Sequence, residues 1–473
     1  MHFEDINVSG VWDDSRRVTP GSLFAALPGP ITSGENFIPE AVEKGAAVIL
    51  LQADLKQTYS VRFPQVKFKG VDDPRAAFRL AVEQFYGRPS DKVRVIGVTG
   101  TNGKTTVTYF LESVLNAAGR ATGVTGTVNS RVPGRRIAAK NTTPGMLDNQ
   151  IFLNDLAIRE IPYLVMEVSS HALAQGRVDL INFCGAVFTN LTGDHLDYHG
   201  DMEKYFAAKS RLFLELTPKA WAVINADDPF GQRLKLFTLS RVLTYAIDGE
   251  AEVKAVIRHC SRKGASFDVI FSGGSVRIET PFTGKHNVYN ILAAFAAGLG
   301  EGFSPELIKR GIEALKNVPG RLERVDCGQD FDVFIDFAHT DDGLKNVLLA
   351  LQEVKHNKLI LVFGCGGDRD RTKRPRMGRV ACDLADHSII TSDNPRSEEP
   401  MAIINEIIPG FLIPNFEVVV DRTEGIVRAL GMAEPGDIVL LAGKGHETYQ
   451  ILKDKTVDFI ERDIIEQYFR NKD

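Results

Sequence analysis

Residues 99–106, Thr99-Gly100-Thr101-Asn102-Gly103-Lys104-Thr105-Thr106, combine the groups that a bound phosphate needs. Glycines let backbone N–H groups approach an anion, Lys104 reaches terminal phosphates, and the Thr105 hydroxyl is a ligand for Mg²⁺. The residues just before, Val93-Arg94-Val95-Ile96-Gly97-Val98, are β-branched and apolar and predict a buried parallel strand. Those after place Phe110, Leu111, Val114 and Leu115 at helical spacing over 107–118. A strand, a glycine turn and a helix aim the helix N-terminus, with its dipole, at the anion. The spacing departs from the full Walker pattern, since Val98 stands five residues before Gly103. The segment reads as a nucleotide-binding loop.

Two further apolar runs end in reactive groups. Tyr163-Leu164-Val165-Met166-Glu167-Val168 delivers Glu167 near its end and is followed by Ser169-Ser170-His171. Ala186-Val187-Phe188-Thr189-Asn190-Leu191 leads into Gly193-Asp194-His195-Leu196-Asp197-Tyr198-His199. Ligands of open α/β sheets bind beyond the C-terminal ends of the strands. One of these groups therefore suits a metal or phosphate role, and His195 is the best candidate. Lys209, inside a predicted helix over 201–216, reads by itself as a solvated helix lysine. Asp14-Ser15-Arg16 reads by itself as a polar turn. Near the C-terminus, apolar runs end in Asp336-Phe337-Ala338-His339, in the glycine loop 364–370, in Asp393-Asn394-Pro395-Arg396 and in Gly443-Lys444-Gly445-His446-Glu447. The loop 364–370 is either a second phosphate loop or a flexible turn that places Arg369 and Asp370.

The elements that must hold these groups alternate strand and helix, so the fold class is α/β. At 473 residues the chain exceeds a single core and predicts about three domains. A small α/β domain spans 1–88, with a helix over 72–86 broken by Gly87-Arg88-Pro89. A central P-loop ATPase-like domain on a mostly parallel sheet spans 89–318, with a basic loop at 131–140 and a β-rich stretch over 242–279. A doubly wound, Rossmann-like domain spans 319–473, opening at Pro319-Gly320-Arg321. Hydrophobic content of 44% and charged content of 25% are those of a globular protein, and a net charge of −5 offers no basic surplus for nucleic acid. The N-terminal Met1-His2-Phe3-Glu4-Asp5 is acidic, and no apolar run reaches membrane-spanning length, so neither secretion nor a membrane span is expected. Five scattered cysteines without a C-x-x-C pair read as reduced thiols of a cytoplasmic protein.

Taken together, the motifs resemble the Mur ligase family, and within it the branch that adds the third residue of the peptidoglycan peptide. The resemblance rests on DSR at 14–16, TGTNGKTT at 99–106, NTTP at 141–144 and MEVSSHALAQGR at 166–177. It continues in FTNLTGDHLDYHGDMEKYFAAK at 188–209, GKHNVYN at 284–290 and PGRLE at 319–323. The last domain adds FGCGGDRDRTKRP at 363–375, DNPRSEEP at 393–400 and AGKGHETYQ at 442–450, in family order.

The resemblance implies a UDP-sugar domain, an ATPase domain and an amino-acid domain. The implied substrates are ATP, UDP-N-acetylmuramoyl-L-alanyl-D-glutamate and meso-diaminopimelate, small molecules acted on by a cytoplasmic monomer with neither nucleic acid nor membrane as partner. It implies that Gly100, Thr101, Asn102, Gly103, Lys104, Thr105 and Thr106 bind the ATP phosphates, with Asn287, Arg321 and Asp336 on the nucleotide side. Thr105, Glu167, His195 and Lys209 would hold Mg²⁺, with Lys209 carboxylated on its side-chain nitrogen, which reverses its reading as a solvated lysine. Ser15, Asn141, Thr142, Thr143, Ser169, Gln175 and Arg177 match positions that bind the UDP-muramoyl peptide. Arg369, Asp393, Asn394, Pro395, Arg396, Gly443 and Glu447 match the amino-acid pocket.

Within that pocket Arg396 would take the distal carboxylate that distinguishes diaminopimelate from lysine; the alternative is an arginine tied to Glu398 or Glu399. Two stretches depart from the family: Ser33-Gly34 in the loop 29–34, and Phe337-Ala338-His339-Thr340-Asp341 where relatives have Tyr-Ala-His-Thr-Pro. Two rivals remain. A folylpolyglutamate synthase would share the phosphate loop and metal residues but lack the DSR, NTTP and DNPR set. A nucleotide-gated switch would have no need of Glu167, His195 and Lys209 around one metal.

Overall fold

The structure is a computed structural model and describes residues 7–29 and 32–471. The acidic N-terminal stretch 1–5 and Pro30-Ile31 of the departing loop lie outside the described residues. By its contacts the chain divides into two compact units, one of Met1–Arg94, Pro144–Pro162 and Ala174–Asn182, the other of Val95–Thr143, Tyr163–Leu173 and Phe183–Asp473.

The first unit is built on four parallel strands, Val11–Trp12, Leu23–Ala25, Val48–Gln52 and Lys67–Val71, in that order. The helix Pro74–Tyr86 starts where the Asp73 carboxylate accepts from the N–H groups of Arg75 and Ala76, with Pro74 in the first turn, where its missing N–H costs nothing. Gly87, at φ 67°, ends it. Its buried Ala77, Phe78, Ala81 and Val82 share a core with Leu23, Val48 and Leu50. Leu147, from the helix Met146–Ile158, joins the same core, which is why a segment distant in sequence belongs to this unit.

The second unit contains two sheets. In the eleven-stranded one, Arg94–Thr99 lies between Phe183–Phe188 and Tyr163–Glu167, so all three strands named for their reactive ends are neighbours. The sheet continues in parallel through Trp221–Asn225 and Arg241–Ala246, and ends in the antiparallel meander Val253–Ser261, Gly264–Phe271 and Gly274–Thr280. On its other side it passes through Thr122–Thr125 to a hairpin of Asn129–Val132 and Arg135–Ala138. The expected basic loop at 131–140 is therefore largely strand. Pro133-Gly134 makes its turn, with Gly134 at φ 79°, and Arg131 is buried, its guanidinium on Glu112 at 3.0 Å and over the Tyr109 ring at 3.9 Å.

The six-stranded sheet runs Glu323–Val325, Asp332–Asp336, Ile438–Ala442, Leu359–Phe363, His387–Ile390, Phe416–Val418, and all but the first strand are parallel. Period-two alternation splits its strands between two cores. Leu359, Leu361 and Phe363 pack with Leu344 and Leu348 of the helix Asp341–Gln352, whereas Ile360 and Val362 pack with Ile426 and Leu430 of Arg422–Met432. Helices thus cover both faces, as a doubly wound domain requires.

Candidate active site

The chain leaves the strand Arg94–Thr99 and turns through the glycine loop into the helix Lys104–Ala117. Gly100 (φ 149°) and Gly103 (φ 87°) both hold left-handed backbone that side chains disfavour. A Cβ at Gly100 would also lie 1.8 Å from Thr189 Oγ1, and one at Gly103 2.3 Å from Asn290 Oδ1. The neighbouring strand end clamps the loop: Thr189 Oγ1 donates to the Asn102 carbonyl (2.6 Å), and Asn190 Oδ1 accepts from the Asn102 N–H (2.9 Å). Lys104 is curled onto its own loop, donating to the carbonyls of Gly100 (2.9 Å) and Thr101 (2.8 Å), and burial lowers its pKa.

This loop forms part of the wall of a cavity of about 760 Å³. The structure brings Thr101, Asn102, Gly103, Lys104, Thr105 and Thr106 to that cavity together with Thr142, Glu167, His195, Asn287, Arg321 and Asp336. Glu167 stands at the end of its strand, its carboxylate accepting from the Thr127 N–H and Oγ1, both at 2.9 Å. His195 adopts the left-handed region (φ 56°), its Nε2 3.3 Å from Asp194 Oδ2, and burial pushes its pKa down to about 4. Arg321 donates to Thr105 Oγ1 at 3.1 Å and covers the Phe337 ring at 4.9 Å. Asp336 is buried, which raises its pKa, and it accepts from the N–H groups of Leu322 and Ala338. Asn287 is buried with its amide donating to the Thr283 carbonyl.

Lys209 is not part of the cavity wall. It lies beneath the loop on the helix Met202–Leu214, fully enclosed, its Nζ donating to the Gly100 carbonyl at 2.8 Å and 4.7 Å from the Tyr205 ring centroid. Burial holds its pKa well below that of a free lysine, with Lys104 adding to the effect. A solvated helix lysine is thereby excluded. Among the described residues no group of three His, Cys, Asp or Glu side chains is preassembled around a point. The donors that share the cavity, a threonine hydroxyl and a carboxylate beside a phosphate loop, nonetheless suit Mg²⁺. That ion keeps several waters and uses one or two carboxylates plus substrate phosphates.

Thr143 is buried behind Glu167, its Oγ1 donating to the Glu167 carbonyl (2.8 Å) and accepting from the Ser169 N–H (3.0 Å). Thr142 Oγ1 lies 3.1 Å from Thr127 Oγ1, and Asn141 is exposed on the turn before them. In the first unit, Ser15 is buried and donates to Glu40 (2.6 Å), while Arg177 donates to Gln175 Oε1 (3.0 Å).

The six-stranded sheet carries a second cluster. Asn394 Oδ1 accepts from Lys444 Nζ (2.9 Å) and the Ile451 N–H (2.9 Å), while its Nδ2 donates to Glu447 Oε2 (2.8 Å). Gly443, at φ 116°, has no room for a Cβ, which would lie 2.7 Å from Asp393 Oδ2. The loop 364–370 is a turn packed on this segment: Gly367 donates to the Asn394 carbonyl, and a Cβ there would lie 1.9 Å from the Pro395 oxygen. Arg396, at φ 52°, donates from Nη1 to the Gly367 carbonyl (2.8 Å), and burial together with Arg369 lowers its pKa. The Glu398 partner considered for it is held instead by the buried Arg374, at 2.8 and 2.9 Å. Three residues escaped the sequence reading: Arg374, Lys444 and Asp342, whose carboxylate accepts from Asn102 Nδ2 and Thr192 Oγ1, both at 2.8 Å. Lys444 and Arg374 each lie inside a quoted motif, at 442–450 and 363–375, whereas Asp342 lies outside all of them.

A phosphate-type glycine loop at the head of a parallel sheet, followed by a doubly wound domain, defines an α/β protein of the nucleotide-binding class. The Mur ligase family, catalytic domain, matches residues 7–85, the Mur ligase middle domain 98–298, and the Mur ligase, glutamate ligase domain 320–445. A relative from Solibacter usitatus (strain Ellin6076), named UDP-N-acetylmuramoyl-L-alanyl-D-glutamate--2,6-diaminopimelate ligase, is 47% identical over 98% of this chain and 94% of its own. One of the same name from Clostridium tetani (strain Massachusetts / E88) is 42% identical over 98% and 95%. A solved structure of a ligase of that name aligns with a TM-score of 0.69 at 32% identity, over 98% of this chain and 95% of that one. The chain belongs to the Mur ligase family.

Proposed function

We propose that this chain is the ATP-dependent ligase that joins meso-diaminopimelate to the D-glutamate carboxylate of UDP-N-acetylmuramoyl-L-alanyl-D-glutamate, in peptidoglycan precursor synthesis. The observation that carries the reading is the single cavity into which the phosphate loop, Glu167, His195 and Arg321 all face. A carboxylate is unreactive because its charge is delocalised, so it must first be made an electrophile. A carboxylate oxygen of the D-glutamate attacks the terminal phosphorus of ATP, ADP leaves, and an acyl phosphate forms. The amine of the amino acid then adds to the acyl carbon, and phosphate departs from the tetrahedral intermediate with the amine's proton lost to solvent.

The protein's share is positioning and charge neutralisation. Lys104 would swing from the loop carbonyls to the transferring phosphoryl group, and Arg321 would hold the nucleotide side with Asn287 and Asp336. Thr105, Glu167 and His195 would hold Mg²⁺, which neutralises the phosphate oxygens. Lys209, whose ammonium form burial disfavours, would add to CO₂ as the free amine with loss of a proton; the resulting carbamate would offer anionic oxygens where an ammonium would repel the ion. Residues 1–88, with Ser15, would take the UDP-sugar, joined by Asn141, Thr142, Thr143, Ser169, Gln175 and Arg177. Residues 89–318 would carry the ATPase and 319–473 the amino-acid pocket of Arg369, Asp393, Asn394, Pro395, Arg396, Gly443 and Glu447. The same reading makes the protein a cytoplasmic monomer that acts on small molecules; among its described residues no helix is long and apolar enough to cross a membrane.

The test is incubation with ATP, Mg²⁺ and the UDP-muramoyl dipeptide, with amino acids supplied singly. Phosphate release that requires both acceptor substrates, with a product heavier by one diaminopimelate residue, is the expected result. Phosphate release indifferent to both would return the chain to the switch reading.

A further inference from the structure

Lys444 is fully buried, an arrangement that is strongly unfavourable unless the ammonium is well paired. Its Nζ bridges two members of the second cluster, donating to Asn394 Oδ1 (2.9 Å) and Glu447 Oε2 (2.8 Å), and lies 5.5 Å from the Tyr449 ring centroid. Asn394 Nδ2 converges on the same Glu447 oxygen at 2.8 Å, so the three side chains form a closed triangle. One backbone hydrogen bond anchors the triangle, from Ile451 N–H to Asn394 Oδ1, and Gln450 Nε2 donates to the carbonyl of the preceding residue, Asp393. The buried cations Arg422 and Arg374 are matched by acids of their own, Glu461 at 2.7 Å and Glu398 at 2.8 Å. The charge of Lys444 is therefore spent on Glu447.

We propose that Lys444 is a positioning and specificity-determining residue of the amino-acid pocket, fixing Asn394 and Glu447 and opposing the entry of a substrate whose far end is a bare cation. The inference rests on the assignment of that pocket above. The far end of meso-diaminopimelate is a zwitterion, whereas that of lysine carries one positive charge. Lys444 neutralises Glu447, so the pair offers a second cation no net attraction; removing Lys444 leaves the Glu447 carboxylate uncompensated and must shift preference toward lysine. A purely structural lysine would affect both amino acids alike.

The experiment compares Lys444→Met, which keeps length and drops charge, with Lys444→Gln, which keeps two N–H donors and drops charge. Steady-state constants are measured with meso-diaminopimelate and with lysine, at saturating ATP and UDP-muramoyl dipeptide. For Lys444→Met, kcat/KM for diaminopimelate should fall by roughly thirtyfold or more, as for a broken buried charge pair. The lysine-to-diaminopimelate ratio should rise about tenfold in both variants, while KM for ATP stays near wild type. Should the methionine variant not fold, the glutamine variant alone decides the ratio. An unchanged ratio in a folded variant would overturn the proposal and leave the ligase reading standing. Failure of the wild-type protein to use either amino acid would overturn the ligase reading, and the proposal with it.

Discussion

Lys104 and Lys209 donate to one and the same acceptor, the carbonyl oxygen of Gly100, at 2.9 and 2.8 Å. Two amines on one oxygen repel each other unless one is neutral. Burial depresses both, and the deeper Lys209 is the one driven well below its usual range. Lys209 therefore bears the larger penalty on its charge, from burial first and from the neighbouring Lys104 second.

From this, Lys104→Ala should lower ligation by about a thousandfold, the scale of losing a charge aimed at a transferring phosphoryl group. Melting temperature and substrate-independent properties should stay close to wild type. Phosphate release by a coupled assay is the readout, and a folded variant that ligates at near wild-type rate removes Lys104 from the mechanism.

Lys209→Ala should also be nearly inactive, but for a different reason, and the difference is measurable. Short carboxylic acids fit the space left by a carbamate, so added acetate or formate should restore part of the activity of Lys209→Ala and none of that of Lys104→Ala. An alanine variant fully active without additive would leave Lys209 as a packing residue.

Three histidines predict the acid limb of stability. Burial lowers His195, His286 and His446 from 6.5 to about 4 in the folded protein. Between those values the unfolded chain binds protons that the folded one does not. Stability is then complete above 6.5 and declines as pH falls toward 4. Thermal melting without ligands should shift downward across that window, and His286→Asn should flatten the slope. A melting temperature constant across the window would contradict the assignment.

The amino-acid preference follows from Arg396. Its guanidinium is half-buried and donates to a backbone carbonyl, with Glu398 committed to Arg374, so it has charge to offer a ligand carboxylate. Meso-diaminopimelate should be strongly preferred over lysine, and Arg396→Ala should lose roughly a hundredfold or more in kcat/KM for it. Comparable kcat/KM for the two amino acids in the wild-type protein would refute this assignment without touching the ligase reading.

Local signals in the sequence were enough for the strand, loop and helix around Gly100, because β-branched residues, glycines and helical spacing are all local. The strand ends at Glu167 and Asp336 were legible for the same reason, as buried runs stopping at a charge. The hairpin at 129–138 was not, since its arginines mask the alternation and one of them, Arg131, is buried on Glu112. Nor was the burial of Lys209, which depends on a carbonyl 109 residues away. Lys444 was hidden because its motif drew attention to Glu447, whereas its role lies in the partner it shares with Asn394. That Met146–Ile158 belongs to the first unit is likewise a matter of packing over long separation.

The hairpin has a colloidal consequence. Its outer strand Arg135–Ala138 is one of the two edges of the eleven-stranded sheet and is exposed along its length, a ready template for another chain's strand. Arg135 and Arg136 stand on that edge, so a second copy laid against it would stack like charges in a row. Charged edge strands are how soluble sheets discourage edge-to-edge aggregation. Neutralising both arginines should leave the folded monolayer of strands unchanged and lower the concentration at which the protein precipitates.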